Sequence, residues 1–298
     1  MSVLVTGLTG FVGFYCAQQL SAIDLADSQG WIDLRDAKRV RNAVRRLNPQ
    51  AVLHLAAQSS VPASFAEPRQ TYEINFLGTL NLLQALQDAR FKGRMLYVGS
   101  ADVYGAVPEK ALPIGEESSP RPLNPYAVSK VAAEALCYQW SQSANFEIVV
   151  ARPFNHIGAR QSTHFAVSDF ARQIVACRRE GSQQRLLVGD IDTTRDFTDV
   201  RDIVRAYAAL LQSGRNGEAY NVCSGVERSL REIIVAMCSI CGVEMEIEVV
   251  PERLRSTEQR RMRGSFNKLR ADTGWAPAIS FEQTLQDIVD YWNQRGGA

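Results

Sequence analysis

Short apolar runs alternate with stretches of helical periodicity through the first half of the chain, and that alternation limits the possible fold more than any other feature. "SVLVTG" is followed by helical spacing over 11–22, 36–47 by "AVLHLAA", 70–90 by "GRMLYVGS", and 125–144 by "FEIVVARP". Strands separated by helices of this length are joined by crossovers and pair in parallel, and a parallel sheet is covered by helices on both faces. The expected fold class is therefore α/β, a doubly wound parallel sheet. From about residue 155 the rhythm loosens, with "RLLVGDID", "AYNVCSG" and "MEIEVV" as short strands among helices and arginine-bearing segments. This predicts a smaller C-terminal α/β lobe over the carboxyl edge of the sheet, where open sheets of this kind bind ligands. The expected division is 1–155 with returning segments near 190–220 as one domain, and a discontinuous 156–298 as the second.

A chain of 298 residues with 46% hydrophobic content can bury a large core. Its net charge of +1 gives no global attraction to nucleic acid or an anionic membrane, so an anion site must be local. "MSVLVTGLTG" has no basic stretch ahead of its apolar run, and no apolar run reaches the roughly 18 residues of a membrane span. A cytoplasmic protein that binds neither membrane nor nucleic acid is expected. The six cysteines (Cys16, Cys137, Cys177, Cys223, Cys238 and Cys241) sit mostly in apolar segments and read as reduced core residues. "CSIC" has CxxC spacing, but no second pair or nearby histidine completes a ligand set, so it reads as one helical turn and no metal is expected.

Two motifs carry chemistry. In "TGLTGFVG" the glycines Gly7, Gly10 and Gly13 follow the first strand and open the first helix. Glycines there permit a tight turn and close approach to a pyrophosphate, which the helix N-terminus attracts with free N–H groups and a partial positive charge. In "NPYAVSK" Tyr126 and Lys130 lie one helical turn apart. A tyrosine, with its ordinary pKa near 10, is a poor proton donor at neutral pH, and a neighbouring ammonium is expected to favour its phenolate.

With the GxxGxxG spacing and "NPYAVSK", the sequence resembles the extended short-chain dehydrogenase/reductase superfamily, and within it the group of GDP-mannose 4,6-dehydratases and GDP-4-keto-6-deoxy-mannose reductases. "LAAQSSVPASFAEP", "INFLGTLNLLQA", "RPFNHIGARQ", "GDIDTTRDFTDVRDIVRAY" and "TGWAP" carry the resemblance over nearly the whole chain. It implies a Rossmann-type NAD(P)-binding domain and a nucleotide-sugar lobe. It also implies that Tyr126 exchanges a proton with the sugar C4 oxygen during hydride transfer, that Lys130 bonds the nicotinamide ribose, and that Ser100 helps hold the same oxygen. Gly7, Gly10, Phe11, Val12 and Gly13 would hold the cofactor pyrophosphate. Asp33 and Leu34 resemble an adenine-contacting pair, although Asp33 also reads as a helix N-terminal acid. Leu55, Ala56, Ala57 and Gln58 resemble the loop beneath the ribose and pyrophosphate. Between the first helix and "WIDL" only "SAIDLADSQG" remains, and the lack of arginine from 14 to 34 leans the cofactor toward NAD(H), because an arginine there would receive a 2′-phosphate.

For the substrate, Arg195 and Arg160 match family arginines that meet the diphosphate, and Arg255 with Glu258 resembles an RPxE element. Asn155 is expected to bond diphosphate or sugar. Arg260, Arg261 and Arg263 read as a solvated face, His54 as core, and His156 and His164 as polar residues that could also line the site. In "GSADVYG", Ala101 and Asp102 stand where dehydratases carry a Glu, often beside Thr; Asp is one methylene shorter and a reductase needs no such acid. The expectation is reduction of the C4 ketone of GDP-4-dehydro-6-deoxy-D-mannose with NAD(P)H. A GDP-mannose 4,6-dehydratase, a nucleotide-sugar C4 epimerase and a non-catalytic dinucleotide-binding regulator are the alternatives. The resemblance also implies a homodimer through four helices, those of 70–90 and 125–144 from each subunit.

Overall fold

The computed structural model describes residues 2–180, 185–253 and 259–296. In chain order it runs β1 (Val3–Thr6), α1 (Phe11–Gln19), β2 (Ala22–Asp24), a hairpin of β3 (Ala26–Asp27) and β4 (Gly30–Trp31), α2 (Ala37–Leu47) and β5 (Ala51–His54). Then come α3 (Val61–Ala66), α4 (Pro68–Tyr72), a π turn at Glu73–Leu77, α5 (Gly78–Asp88), β6 (Arg94–Val98), α6 (Pro125–Ser143), β7 (Glu147–Pro153) and β8 (Asn155–Ile157). The rest is α7 (Ala166–Glu180), β9 (Arg185–Val188), β10 (Thr194–Asp199), α8 (Val200–Ser213), β11 (Ala219–Val222), β12 (Glu227–Ser229), α9 (Leu230–Cys241), β13 (Glu246–Val249), α10 (Asn267–Thr273) and α11 (Phe281–Arg295).

Among the described residues the main sheet has six strands in the order β11-β7-β6-β5-β1-β2, every pair parallel. Alternation along each strand divides the apolar side chains between two cores. Val3 and Val5 of β1 face α8 and α10 with Tyr207, Leu210 and Leu269, while Leu4 faces α2 and α5 with Val44, Leu83 and Leu86. The strand order reverses at β1, with β2 on one side and β5 on the other, so a crevice opens at the carboxyl ends of β1 and β5. The expected α/β doubly wound class is therefore the observed one.

The stretch expected as a single helix over 70–90 is instead α4, a π turn and α5. The π turn holds Asn75, whose side chain is committed to two other elements, as described below. In the second half, β10 pairs in parallel with β8 and antiparallel with β12, and β9 pairs with β13. α7, α9 and α11 close a third core there with Phe170, Ile174, Met237 and Ile288. Among the described residues no helix is long and apolar enough to cross a membrane.

Candidate active site

The glycine turn sits at the reversal point. Gly7 has φ +78, and a Cβ on it would lie 3.0 Å from the Ala56 nitrogen, so only glycine lets the β1 turn meet the β5 loop this closely. A Cβ on Gly13 would lie 2.4 Å from the carbonyl oxygens of both Gly7 and Leu8. Gly10 is the N-cap of α1 and offers no side-chain cap, which leaves the first-turn N–H groups for an anion. These features fit a dinucleotide pyrophosphate.

A chain of buried polar groups ties this turn to α6. Thr6 Oγ1 accepts from the Ala56 N–H at 3.1 Å and bonds His54 Nδ1 at 2.7 Å, and His54 Nε2 bonds Thr79 Oγ1 at 2.9 Å. Burial pushes His54 down to about 3, so the ring is neutral and serves as a core connector, as expected. Thr79 donates to the Asn75 carbonyl at 2.7 Å. The Asn75 amide accepts from Gln58 N–H at 2.8 Å and donates to Gln58 O at 3.0 Å and Ser129 Oγ at 2.9 Å. Ser129 Oγ donates in turn to the Tyr126 carbonyl at 2.6 Å. One side chain thus fixes the expected cofactor loop against the turn of helix that bears Tyr126. Thr6, Asn75, Thr79 and Ser129 were not among the expected site residues; Asn75 lay inside "INFLGT", but nothing in its spacing shows which backbone it bonds.

Asn124 caps α6 by accepting from the Ala127 N–H at 2.7 Å, and Pro125 fits the first helical position, where an N–H is dispensable. Tyr126 and Lys130 follow within the first two turns. Ser100 ends the β6 connection and its Oγ accepts from the Asp102 N–H at 3.1 Å. Ser100 and Asp102 both lie near enough to the Tyr126 phenol to act on it. Lys130 Nζ donates to the Val98 carbonyl at 2.8 Å. Ser100, Asp102, Tyr126 and Lys130 are therefore brought together. One expectation needs correction: the Tyr126 pKa is raised in this structure, first by burial and then by Asp102, with the Ser100 bond pulling the other way. The geometry explains this, since Lys130 Nζ lies 5.8 Å from the Tyr126 ring centre and points a donor at Val98.

α6 is held to the sheet by a second connection that the sequence did not announce. Arg152 of β7 donates through Nε to both Glu134 oxygens at 3.0 and 3.1 Å, and through Nη1 to the Tyr104 hydroxyl at 2.9 Å.

The other expected residues are placed as follows. Asp33 is bridged to Arg35 at 2.6 Å, and the residue that caps α2 is Asp36, so Asp33 is not the helix N-terminal acid. Leu34 buries its side chain against Gly78, and its carbonyl accepts from Asn81 at 2.8 Å. The Arg160 guanidinium lies 3.9 Å above the Phe14 ring, which puts it against α1. His156 stacks on Phe11 at 6.1 Å, while His164 is occupied by Ser162. Asn155 is exposed at the start of β8. Arg195 donates to the Thr194 carbonyl at 2.8 Å beside Asp196, whose carboxylate accepts from Ser224, Gly225 and Gly264 N–H groups. The expected solvated face is partly an ion-pair cluster: Arg260 pairs with Asp190, and Arg261 with Glu227 and Glu109. Arg263 Nε is buried. Arg255 and Glu258 lie outside the described residues. The CxxC pair occupies the last turn of α9 as expected, and the cysteines described are free thiols.

Comparison with known proteins finds relatives along nearly the whole chain. GDP-6-deoxy-D-mannose reductase of Pseudomonas aeruginosa is 48% identical over 297 residues, covering 98% of this chain and 97% of its own. The solved structure of RMD from Pseudomonas aeruginosa complexed with NADPH superposes with a TM-score of 0.92 at 46% identity, covering 99% of each chain. Thermus thermophilus UDP-glucose 4-epimerase in complex with NAD gives a TM-score of 0.85 at 31% identity, covering 98% of this chain and 99% of that one. The family model described as GDP-mannose 4,6 dehydratase matches residues 30–288, and the chain belongs to that family of extended short-chain dehydrogenase/reductases.

Proposed function

We propose that this chain reduces the C4 ketone of GDP-4-dehydro-6-deoxy-D-mannose to a GDP-6-deoxyhexose, GDP-D-rhamnose, using NAD(P)H. The observation that carries the reading is the convergence of Ser100, Tyr126 and Lys130 at the carboxyl edge of the sheet. Near-full-length similarity to a protein named GDP-6-deoxy-D-mannose reductase supports it. The nicotinamide supplies the hydride when bound. Tyr126 gives its proton to the C4 oxygen as the C=O bond becomes CH–OH, and Ser100 donates a hydrogen bond to that oxygen as charge develops on it. Lys130 bonds the nicotinamide ribose from beside Tyr126.

Gly7, Gly10, Phe11, Val12 and Gly13 would hold the cofactor pyrophosphate, Leu55 to Gln58 would serve its ribose and pyrophosphate, and Asp33 and Leu34 its adenine. On the substrate side Asp102 touches the sugar. Asn155, Arg160, Arg195, Arg255 and Glu258 serve the GDP moiety in a lobe formed mainly by 156–298, with Arg195 as the diphosphate anchor, because a guanidinium fork fits phosphate oxygens in pairs.

A second reading, GDP-mannose 4,6-dehydratase, has the family description and the closeness of Asp102 to Tyr126 in its favour. Incubation of the purified protein with GDP-4-dehydro-6-deoxy-D-mannose and, in parallel, NADH or NADPH is expected to oxidise the cofactor in step with ketone lost. GDP-mannose without reductant is expected to stay unchanged, and Asp102→Ala to slow the reduction only modestly. Dehydration of GDP-mannose with no added reductant, abolished by Asp102→Ala, would establish the second reading. The ratio of kcat/KM for the two cofactors tests the lean toward NAD(H).

The homodimer reading draws on apolar side chains exposed around α3 to α6: Phe65 at 59%, Leu77 at 46% and Tyr138 at 58%. A twofold pairing of α5 and α6 would cover them. Sedimentation at micromolar concentration is expected to give a dimer that Tyr138→Arg weakens; a monomeric parent protein would remove the interface.

A further inference from the structure

Lys130 is 4% exposed. Its ammonium has three N–H donors, the Val98 carbonyl takes one, and among the described residues no carboxylate pairs with it. What faces the ammonium is aromatic, with the Tyr97 ring centre at 5.1 Å, nearer than that of Tyr126. Tyr97 lies near the end of β6, 1% exposed, and among the described residues its hydroxyl has no hydrogen-bond partner. A buried hydroxyl without a partner is unfavourable, so the polar end of Tyr97 does not explain the residue. The ring face does, because its negative quadrupole attracts a cation most strongly where water is excluded.

We propose that the face of the Tyr97 ring holds the Lys130 ammonium charged and in place beside Tyr126, which makes Tyr97 a positioning residue acting on the reaction through Lys130. The functional half of this rests on the reading of Lys130 given above.

The titratable groups around Lys130 leave room for such a partner. From β5 comes His54, neutral because burial pushes it to about 3; from β6 comes Tyr97 itself, its phenol pushed up by burial. On α6, Tyr126 and Cys137 are both raised by burial and hence uncharged. Further out, Glu134 is matched by Arg152, and Asp102 lies toward the Tyr126 hydroxyl. Burial alone acts against the ammonium and brings Lys130 down to about 8. A ring face favours the charged form, so weakening it makes Lys130 lose its proton at lower pH. The alkaline limb of the reduction then moves down with it.

The test places phenylalanine, then phenylalanines of increasing ring-fluorine content, at position 97 of the full chain. Fluorine drains the ring face while leaving the volume nearly constant, so folding is not at stake; Tyr97→Met removes the face altogether. Lys130 is titrated by NMR of ε-carbon-labelled lysine, assigned with Lys130→Arg, and the pH profile of kcat/KM is taken on the same samples. The Lys130 midpoint is expected to fall stepwise, by about 0.5 to 1.5 pH units across the series, and the alkaline limb to follow it. A midpoint that stays fixed across the fluorinated series overturns the proposal, whatever happens to activity or melting temperature. A midpoint that falls while the pH profile stays put upholds the contact and overturns the role of Lys130 in the reaction.

Discussion

Tyr126→Phe is expected to lower turnover of the ketone by about 10² to 10⁴-fold, the usual worth of a positioned acid/base group. The substitution removes one oxygen and leaves the ring that packs beside Lys130. Loss of the hydroxyl should cost at most about 1 kcal/mol of stability, a fall of no more than about 2–4 °C in melting temperature. The loss should fall on kcat and kcat/KM alike, because the phenol's proton matters only as charge develops on the C4 oxygen, whereas the GDP moiety binds elsewhere. Burial keeps the phenol protonated across neutral pH, so the proton is present when hydride arrives. A resting tyrosine of this kind suits reduction, in which it begins as the acid. Steady-state kinetics with a melting curve check the prediction, and near-wild-type turnover in a normally melting variant would remove Tyr126 from the mechanism.

What the sequence revealed, and what it hid, follows from the range of each signal. The sheet was legible because β-strands and helices write their periods locally, and because Gly7 and Gly13 answer steric demands within one turn of chain. Tyr126 and Lys130 were legible for the same reason, being neighbours on one helix. The sequence could not show that the Lys130 ammonium turns toward Val98 and Tyr97 rather than the Tyr126 hydroxyl, since β6 lies about thirty residues earlier in the chain. The expected pKa shift of Tyr126 had the wrong sign for that reason: a pairwise charge argument omitted burial, which here is the larger effect. The break at Glu73–Leu77 was hidden likewise, because its apolar spacing is that of a helix, while the partners of Asn75 within it, Gln58 and Ser129, are distant in sequence. Arg195 and Arg160 were found as arginines, but only the structure shows Arg195 held in a strand beside Asp196 and Arg160 stacked on α1.

Arg152→Met is expected to cost about 3–5 kcal/mol, the usual penalty for leaving a buried charge without its partner. Arg152 is 6% exposed, its fork closes on Glu134, and its remaining donors reach the Tyr104 hydroxyl and the Glu116 carbonyl. Exposed ion pairs of this chain, such as Arg185 with Glu248 at 3.2 Å, should contribute little, because water solvates both partners when they separate. Here the pair is mostly shielded, Arg152 at 8% and Glu134 at 14% side-chain exposure, which leaves little of that escape. The loss corresponds to a fall in melting temperature of about 10 °C, a large share of the roughly 5–15 kcal/mol that holds a typical domain folded. Arg152→Met combined with Glu134→Leu should recover most of the stability, since the charge and its partner leave together. Glu134 stands one turn beyond Lys130 on α6, so the single variant should also lose activity at temperatures where it remains folded, and the double variant should regain only the part that depends on the helix being seated. If the double variant melts as low as the single one, Arg152 matters through Tyr104 and Glu116 rather than through Glu134.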